Sequence, residues 1–420
     1  MLVFAGEYAL DKGGWCMIRY LKNEEKQVCK ELWEEAFPED SREFVAYYFE
    51  EKVRDNRILA LFEEGEVQEE DPRKHVAAMI HLNPYSLMVR GFCWKVDYLV
   101  GVATCREKRH RGYMRSLLLQ IMKDLRQEQM PFCFLMPADE AIYKPFGFTY
   151  IYRQEKFVKG TGWERAVSAE AEVLVRAAEV GGKEAKTAPG GERDGAEGKL
   201  SHQVLTDLEK DSGTYQERLE ITASWMNRWL ERHYQVYARR DEAYVRRLVN
   251  ELASEEGVLD LLFCKDEIVA MESWWGRGER EQRLIYGEEP YVKRIDGAEK
   301  PAIMARIISP EAFMPVIHLR DNAEWEDGCM IPLYIQDPLI EENDGLWLWH
   351  LNRETSWLQK QPEGKLPGQA KMGSGRILPL LTLKMEQLTE WLFGYQVPEE
   401  ARPYEKMVET LQSVFLDEVV

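Results

Sequence analysis

The sequence predicts a mixed α/β protein of several domains, with a mixed sheet flanked by helices in its first part. Three observations predict this. Strand-like apolar runs alternate with helical spacing over residues 1–158. A glycine-rich, charge-alternating segment occupies 181–198. From about residue 298 a strand, a helix, further strands and a last helix follow. A chain of 420 residues suggests two to four domains, and alternating elements pack as a sheet with helices on its faces.

Each element has a local reason. Glu24–Phe37 places apolar residues at 28, 32, 33, 36 and 37, which is helical spacing. Ile58–Phe62, His75–Leu82 and Trp94–Thr104 are apolar and β-rich and predict successive strands. A helix over 112–126 follows from apolar positions 114, 117, 118, 121, 122 and 125, then strands at Phe132–Met136 and Thr149–Val158. Ala171–Arg176 is strand-like. The segment 181–198, with Pro189 among its glycines and charges, predicts a flexible linker or exposed loop, since nothing in it can form a core. Tyr215–His233 and Asp241–Leu252 predict helices, the second capped by Asp241. Val258–Cys264, Glu267–Trp275 and Arg283–Gly287 predict a meander, with Lys265-Asp266 as a tight turn. Ile303–Ile308 predicts a strand, Ser309-Pro310-Glu311 a helix start, and Ile331–Ile335 and Leu346–Arg353 further strands. Trp347, Trp349 and Leu351 share one face of the last, as core or as the lining of a lipid pocket. Met385–Phe393 predicts a helix stopped by Gly394.

Composition narrows the function. Apolar content of 45% supports full cores, and no apolar run reaches the length of a membrane span, so a soluble cytoplasmic protein without membrane insertion is expected. Seven scattered cysteines form no C-x-x-C pair and seven histidines no H-x-x-x-H spacing, so neither a disulfide framework nor a metal is expected. A net charge of −19 excludes nucleic acid as the expected partner and favours a cationic one, although excess acid also serves solubility alone.

The chemistry concentrates between Val100 and Phe148. The run Val100-Gly101-Val102-Ala103-Thr104 leads into Arg109-His110-Arg111-Gly112-Tyr113-Met114-Arg115, where the amphipathic helix opens. The first N–H groups of a helix lack intrahelical partners and its dipole favours an anion there. Gly112 lets backbone approach a phosphate, and Arg109, Arg111 and Arg115 bring charge to the same point. An ordinary basic surface turn has the same pattern. Tyr143, ahead of Phe146-Gly147-Phe148, adds a phenol that can donate a proton.

Arg109-x-x-Gly112 behind Val-Gly-Val-Ala-Thr resembles the pyrophosphate motif of the GNAT acetyltransferases, and Tyr143-x-x-Phe146-Gly147-Phe148 resembles the segment that closes that fold. More narrowly, the chain is similar to the enhanced-intracellular-survival (Eis) family. The likeness is specific over 1–158 and weaker over 210–420. One departure is Met114, where GNAT motifs carry a small residue.

The resemblance implies a GNAT acetyltransferase domain at 1–158, a second, degenerate GNAT-like domain at 159–297, with an unrelated α+β domain as the alternative there, and a sterol-carrier-like domain at 298–420. It implies acetyl-CoA as co-substrate, seated by Val102, Ala103, Thr104, Arg109, His110, Arg111, Gly112, Tyr113, Met114 and Arg115, with Ala138 and Asp139 toward its nucleotide end. Asp139 also reads as a simple helix start. The pantetheine would lie in a splay beside the strand ending at Thr104. Tyr143 would protonate the leaving thiolate, and the α-carboxylate of Val420 would act as base, with Asp417 and Glu418 as acidic alternatives. The acceptor would be a primary amine (aminoglycoside, polyamine or protein lysine) attacking directly in a ternary complex. Family members assemble as hexamers, so a homo-oligomer is expected. The competing readings are an acyl-cysteine route through Cys105, a longer acyl donor, and a non-catalytic acyl-CoA-binding or lipid-binding regulatory protein.

Overall fold

The structure is a computed structural model, and it describes residues 6–9, 15–63, 76–165, 200–323, 328–362 and 376–417. The predicted strand Ala171–Arg176, the loop 181–198, Glu418 and Val420 lie outside the described residues. Two compact units emerge: residues 1–154 with 230–239 and 301–420, and residues 155–229 with 240–300.

The first unit is built on a large mixed sheet. Its first strands are β1 (Gly6–Ala9), β2 (Trp15–Tyr20), β3 (Arg57–Glu63), β4 (Val76–Val89), β5 (Phe92–Thr104), β6 (Phe132–Leu135) and β7 (Thr149–Tyr150). Its helices are α1 (Lys30–Ala36), α2 (Arg42–Glu50), α3 (Tyr113–Gln127) and the short α4 (Glu140–Tyr143). Neighbours from β1 to β5 are antiparallel and β6 is parallel to β5. The central strands are covered on both faces, which is why β3 reads as a continuous apolar run. Its Leu59 and Leu61 pack with Leu117, Leu118 and Ile121 of α3. Its Ile58 and Ala60 pack with Leu32 and Trp33 of α1 and Phe44, Val45 and Tyr48 of α2. Each such leucine or isoleucine contributes about 1.5–3 kcal/mol of burial.

Most predicted elements appear where the spacing put them, and four differ for identifiable reasons. The helix predicted at Glu24–Phe37 begins as a 3-10 stretch, Asn23–Cys29, before α1. The strand predicted to end at Leu82 runs on to Val89, although Pro84 lies inside it. Pro84 falls between two ladders on that edge: Arg57 pairs with Leu82, and Val236–Ala238 pairs with Leu87–Val89. A residue without an N–H is tolerated where no ladder bond is needed. The single strand predicted over Thr149–Val158 is two, because Ile151 and Tyr152 turn into the core and Arg153–Lys159 pairs instead with Val292–Pro301.

The fourth difference is topological. The strand predicted at Ile303–Ile308, which would open the last segment, is observed as Met304–Ile307. It lies in the first sheet, between β6 and β7, antiparallel to both. The rest of the carboxy-terminal segment forms a five-stranded sheet around Cys329–Gln336 and Gly345–Leu351. Trp347 and Trp349 are buried there in the apolar cluster that also takes Trp391 from the helix Met385–Leu392. The tail returns to the first sheet, where Val414–Phe415 pairs with Val236–Ala238.

The second unit carries a four-stranded sheet ordered Glu281–Gly287, Glu267–Trp275, Val258–Cys264, Leu200–Val204. Lys265, at φ 60°, opens the predicted two-residue turn. The helix Glu242–Ser254 is capped by Asp241, whose Oδ1 accepts from Tyr244 N at 2.7 Å.

Candidate active site

The sheet opens where the cofactor motif begins. β5 and β6 are paired at Tyr98 and Phe134, with no further pair toward Thr104 among the described residues. Two parallel strands that part leave unsatisfied backbone groups facing the gap, where an extended ligand arm can add as a strand would. Val102, Ala103 and Thr104 line this stretch of β5.

A bulge redirects the backbone just before them. The β4–β5 register slips between Met79 and His81, and opposite the slip Gly101 sits at φ 58°. A Cβ there would stand 2.4 Å from the Trp33 ring and 3.3 Å from the His81 ring, so only glycine fits.

Beneath the bulge lies a buried polar set that the sequence reading missed. Tyr48 Oη is 3.1 Å from His81 Nδ1 and 3.3 Å from Asn83 Oδ1, and Asn56 Nδ2 donates to Asn83 Oδ1 at 3.2 Å. Burial, reinforced by Lys26, holds the His81 imidazole neutral, its pKa pushed down to about 3. Periodicity hides this set, since His81 and Asn83 occupy core positions of an otherwise apolar strand.

Past Thr104 the chain makes a 3-10 turn, Arg106–Lys108, anchored by the Arg106 N–H donating to Glu35 Oε1 at 2.7 Å. Arg109 Nε donates back to the Thr104 carbonyl at 3.3 Å. His110 follows at φ 62° and Gly112 at φ 82°, and α3 begins. Gly112, the N-cap of α3, has no side chain to cap the first turn, and among the described residues no side-chain cap bond is made there. Arg109, His110, Arg111 and Arg115 are exposed around it, Met114 is half-buried and Tyr113 is buried. An uncapped helix start ringed by arginines suits an anion.

Glu63 of β3 holds this turn, and nothing in its local sequence marks it. Its carboxylate accepts from Arg111 Nη1 at 2.9 Å, lies 3.2 Å from Lys108 Nζ and accepts the Tyr113 hydroxyl. Partial burial opposes its charge, but Tyr113, Lys108 and Arg111 together keep its carboxyl below the usual range.

Tyr143 ends α4. Asp139 caps that helix through Ala141 N at 2.9 Å, which is the helix-start role the sequence also allowed, and Ala138 precedes it. The Tyr143 ring is 6% exposed and packs edge-on to Phe148, with centroids 6.2 Å apart. Burial pushes its phenol up to about 12, so it stays protonated at neutral pH. Arg115 lies over the Phe146 ring at 5.8 Å, joining the first turn of α3 to the tyrosine turn. The two halves of the sequence motif thus meet in one cluster with Tyr113, Leu117 and Phe146. Among the described residues no hydrogen bond joins Cys105 to His110. A cavity of about 490 Å³ lies beside Lys144, Gly147 and Lys384, and none of residues 102–115 lines it.

The tail reaches the same neighbourhood. The Tyr152 hydroxyl donates to the Leu416 carbonyl and accepts its N–H at 3.3 Å. Leu416 belongs to the apolar cluster that also contains Tyr98 and Phe134, and Asp417, next in the chain, is buried.

Residues 17–151 match the family described as acetyltransferase (GNAT) domain. This segment is a GNAT acetyltransferase domain. The reaction class it carries is N-acetyl transfer. Solved structures resemble the whole chain at low identity. A probable N-acyltransferase from Enterococcus faecalis is 14% identical with TM-score 0.63, over 93% of each chain. A GCN5-related N-acetyltransferase from Kribbella flavida is 13% identical with TM-score 0.60, over 96% of this chain and 98% of that one. Eis1 from Mycobacterium abscessus is 11% identical with TM-score 0.57, over 96% of this chain and all of that one, 100%. These likenesses show a shared fold. No curated protein sequence matches the chain. Among the described residues no helix is long and apolar enough to cross a membrane.

Proposed function

We propose that the protein is an acetyl-CoA-dependent N-acetyltransferase of the Eis-like kind, acting on a small cationic amine or a lysine side chain by direct attack in a ternary complex. The carrying observation is the uncapped start of α3, ringed by Arg109, Arg111 and Arg115 immediately past the point where β5 and β6 part. Pyrophosphate would lie on the α3 amides, pantetheine in the gap, and the thioester carbonyl against N–H groups of Val102–Thr104. The amine nitrogen attacks the acetyl carbon and the C–S bond breaks. Tyr143, protonated and buried, gives its proton to the leaving sulfur. The amine's proton goes to a carboxylate of the tail. The burial of Leu416 and Asp417 near the gap supports the Val420 α-carboxylate as that base. The net charge of −19 would draw a cationic acceptor. Within the same reading, 159–297 is a degenerate GNAT-like domain, 298–420 a sterol-carrier-like one, and the working form a homo-oligomer.

Calorimetry on untagged protein tests the cofactor site. Acetyl-CoA is expected to bind one to one, and Arg111→Glu to weaken it by about tenfold or more through charge reversal beside the phosphates. Tyr143→Phe is expected to keep that affinity and to lower kcat by about 100-fold or more across an amine panel. No acetyl-CoA binding by the parent protein would sink the reading.

A further inference from the structure

Phe146-Gly147 is where two distant parts of the chain meet. Arg306, on the strand Met304–Ile307, is 1% exposed, and its Nη1 donates to the Phe146 carbonyl at 2.9 Å. Its Nη2 lies 2.7 Å from both carboxylate oxygens of Asp337. Asp337 is fixed in turn by Asn343 Nδ2 at 2.9 Å and by the N–H groups of Leu339 and Ile340 at 3.2 and 3.3 Å. Asn343 Nδ2 also donates to the Ile308 carbonyl at 2.9 Å, tying the loop back to the strand that carries Arg306.

Gly147 is the complement of this arginine. It sits at φ 74°, and a Cβ built there would lie 2.1 Å from Arg306 Nη1. The glycine between the two phenylalanines therefore makes room for the guanidinium as well as for the turn. Tyr143 lies three residues before the carbonyl that Arg306 holds, and Lys144–Phe146 is a single 3-10 turn between them. β7, just after the turn, and β6, before α4, both pair with the strand that carries Arg306.

We propose that Arg306, oriented by Asp337, is a positioning residue for the proton donor Tyr143, so that the carboxy-terminal segment completes the acetyl-transfer centre. A buried guanidinium paired to a buried carboxylate through one nitrogen is a costly way to brace a turn. It is well suited to fixing one carbonyl, and with it a neighbouring side chain, to a fraction of an ångström. This inference rests on the proton-donor reading of Tyr143, and its test separates the two.

The pair is best removed together, as Arg306→Met with Asp337→Asn, which leaves no lone buried charge and keeps an acceptor for the loop amides. Arg306→Lys serves as the conservative variant, and thermal unfolding shows which variants remain folded. The expected result is a fall in kcat of about tenfold or more with acetyl-CoA affinity within about threefold of the parent, partly restored in Arg306→Lys. In a Tyr143→Phe background the pair should cost no further kcat, because it acts through the missing hydroxyl. An equal fall in that background overturns the proposal.

A second readout needs no turnover. Fluorotyrosine is incorporated, and the Tyr143 signal is assigned by its loss in Tyr143→Phe. Its H2O/D2O shift should be small in the parent protein and should grow in the pair variant as the ring loses its fixed seat. An unchanged shift overturns the proposal even if the parent shows no acetyl transfer, and a grown shift in such a protein keeps the brace while the proton-donor reading fails.

Discussion

Two helices of this protein are close in length and pattern and differ at one end. α3 and Glu242–Ser254 each bury one apolar stripe and expose the opposite face. The second is closed by its own sequence, with the Asp241 carboxylate on the Tyr244 N–H at 2.7 Å. α3 begins at Gly112, which has no side chain to offer, and its first amides are left for something else. Ser41 and Ser309 cap their helices as Asp241 does. The lesson is that an open helix start is informative when it stands against capped ones in the same chain, for a cap contributes about 1 kcal/mol that evolution readily adds.

The largest expected break in that comparison is Gly112→Asp. A carboxylate at the α3 cap would occupy the site from within and repel a phosphate, so acetyl-CoA affinity should fall by about tenfold or more, read by calorimetry. Acid should distinguish the unit that carries α3 next. His81 is buried neutral with its pKa near 3, against about 6.5 when unfolded. Between those values the unfolded chain binds a proton that the folded one refuses. Stability should therefore drop as pH falls below about 6.5, by up to about 1.4 kcal/mol per unit. His81→Asn should flatten that slope in denaturant titrations run at pH 7 and pH 5. Asp241→Ala, on the closed helix, should cost about 1 kcal/mol in the same titrations and leave acetyl-CoA binding untouched. A loss of binding there would erase the distinction between the two helices. The smallest effect is expected for Glu63→Gln. Arg111 and Lys108 would be released from a competing carboxylate, and acetyl-CoA should bind about two- to threefold tighter, a small effect because the pair is exposed.

The comparison also shows what a sequence displays. α3, the helix after Asp241, β3, β5 and the meander were legible because each is fixed by periodicity and by chemistry within a few residues. The arginine-glycine turn was legible for the same reason, as was Tyr143 through the Phe-Gly-Phe that follows it. Glu63 was not, since its partners Lys108, Arg111 and Tyr113 are brought to it only by the packing of α3 on β3. The polar set at Tyr48, Asn56, His81 and Asn83 was hidden because no period announces buried residues that hydrogen-bond across distant parts of the chain. Arg306, within the strand predicted at Ile303–Ile308, carried no local signal, because its carbonyl and carboxylate partners come from 146 and 337. Strand pairing across such separations leaves no local trace. That is also why Met304–Ile307 was read with its sequence neighbours and found in another sheet.

The place of Met304–Ile307 has a consequence for how the protein is made. A ribosome delivers β6 and β7 early, with a strand-wide gap between them that only residues 304–307 fill. At about 5–20 residues per second, that missing strand arrives some 8–30 s after Tyr150 has been synthesised. During this interval the unpaired edges of β6 and β7 face the gap, each a template for a wrong partner. The fold thus places its greatest hazard of misassembly in the time between two halves of one sheet, and chaperone occupancy of the nascent chain should peak there.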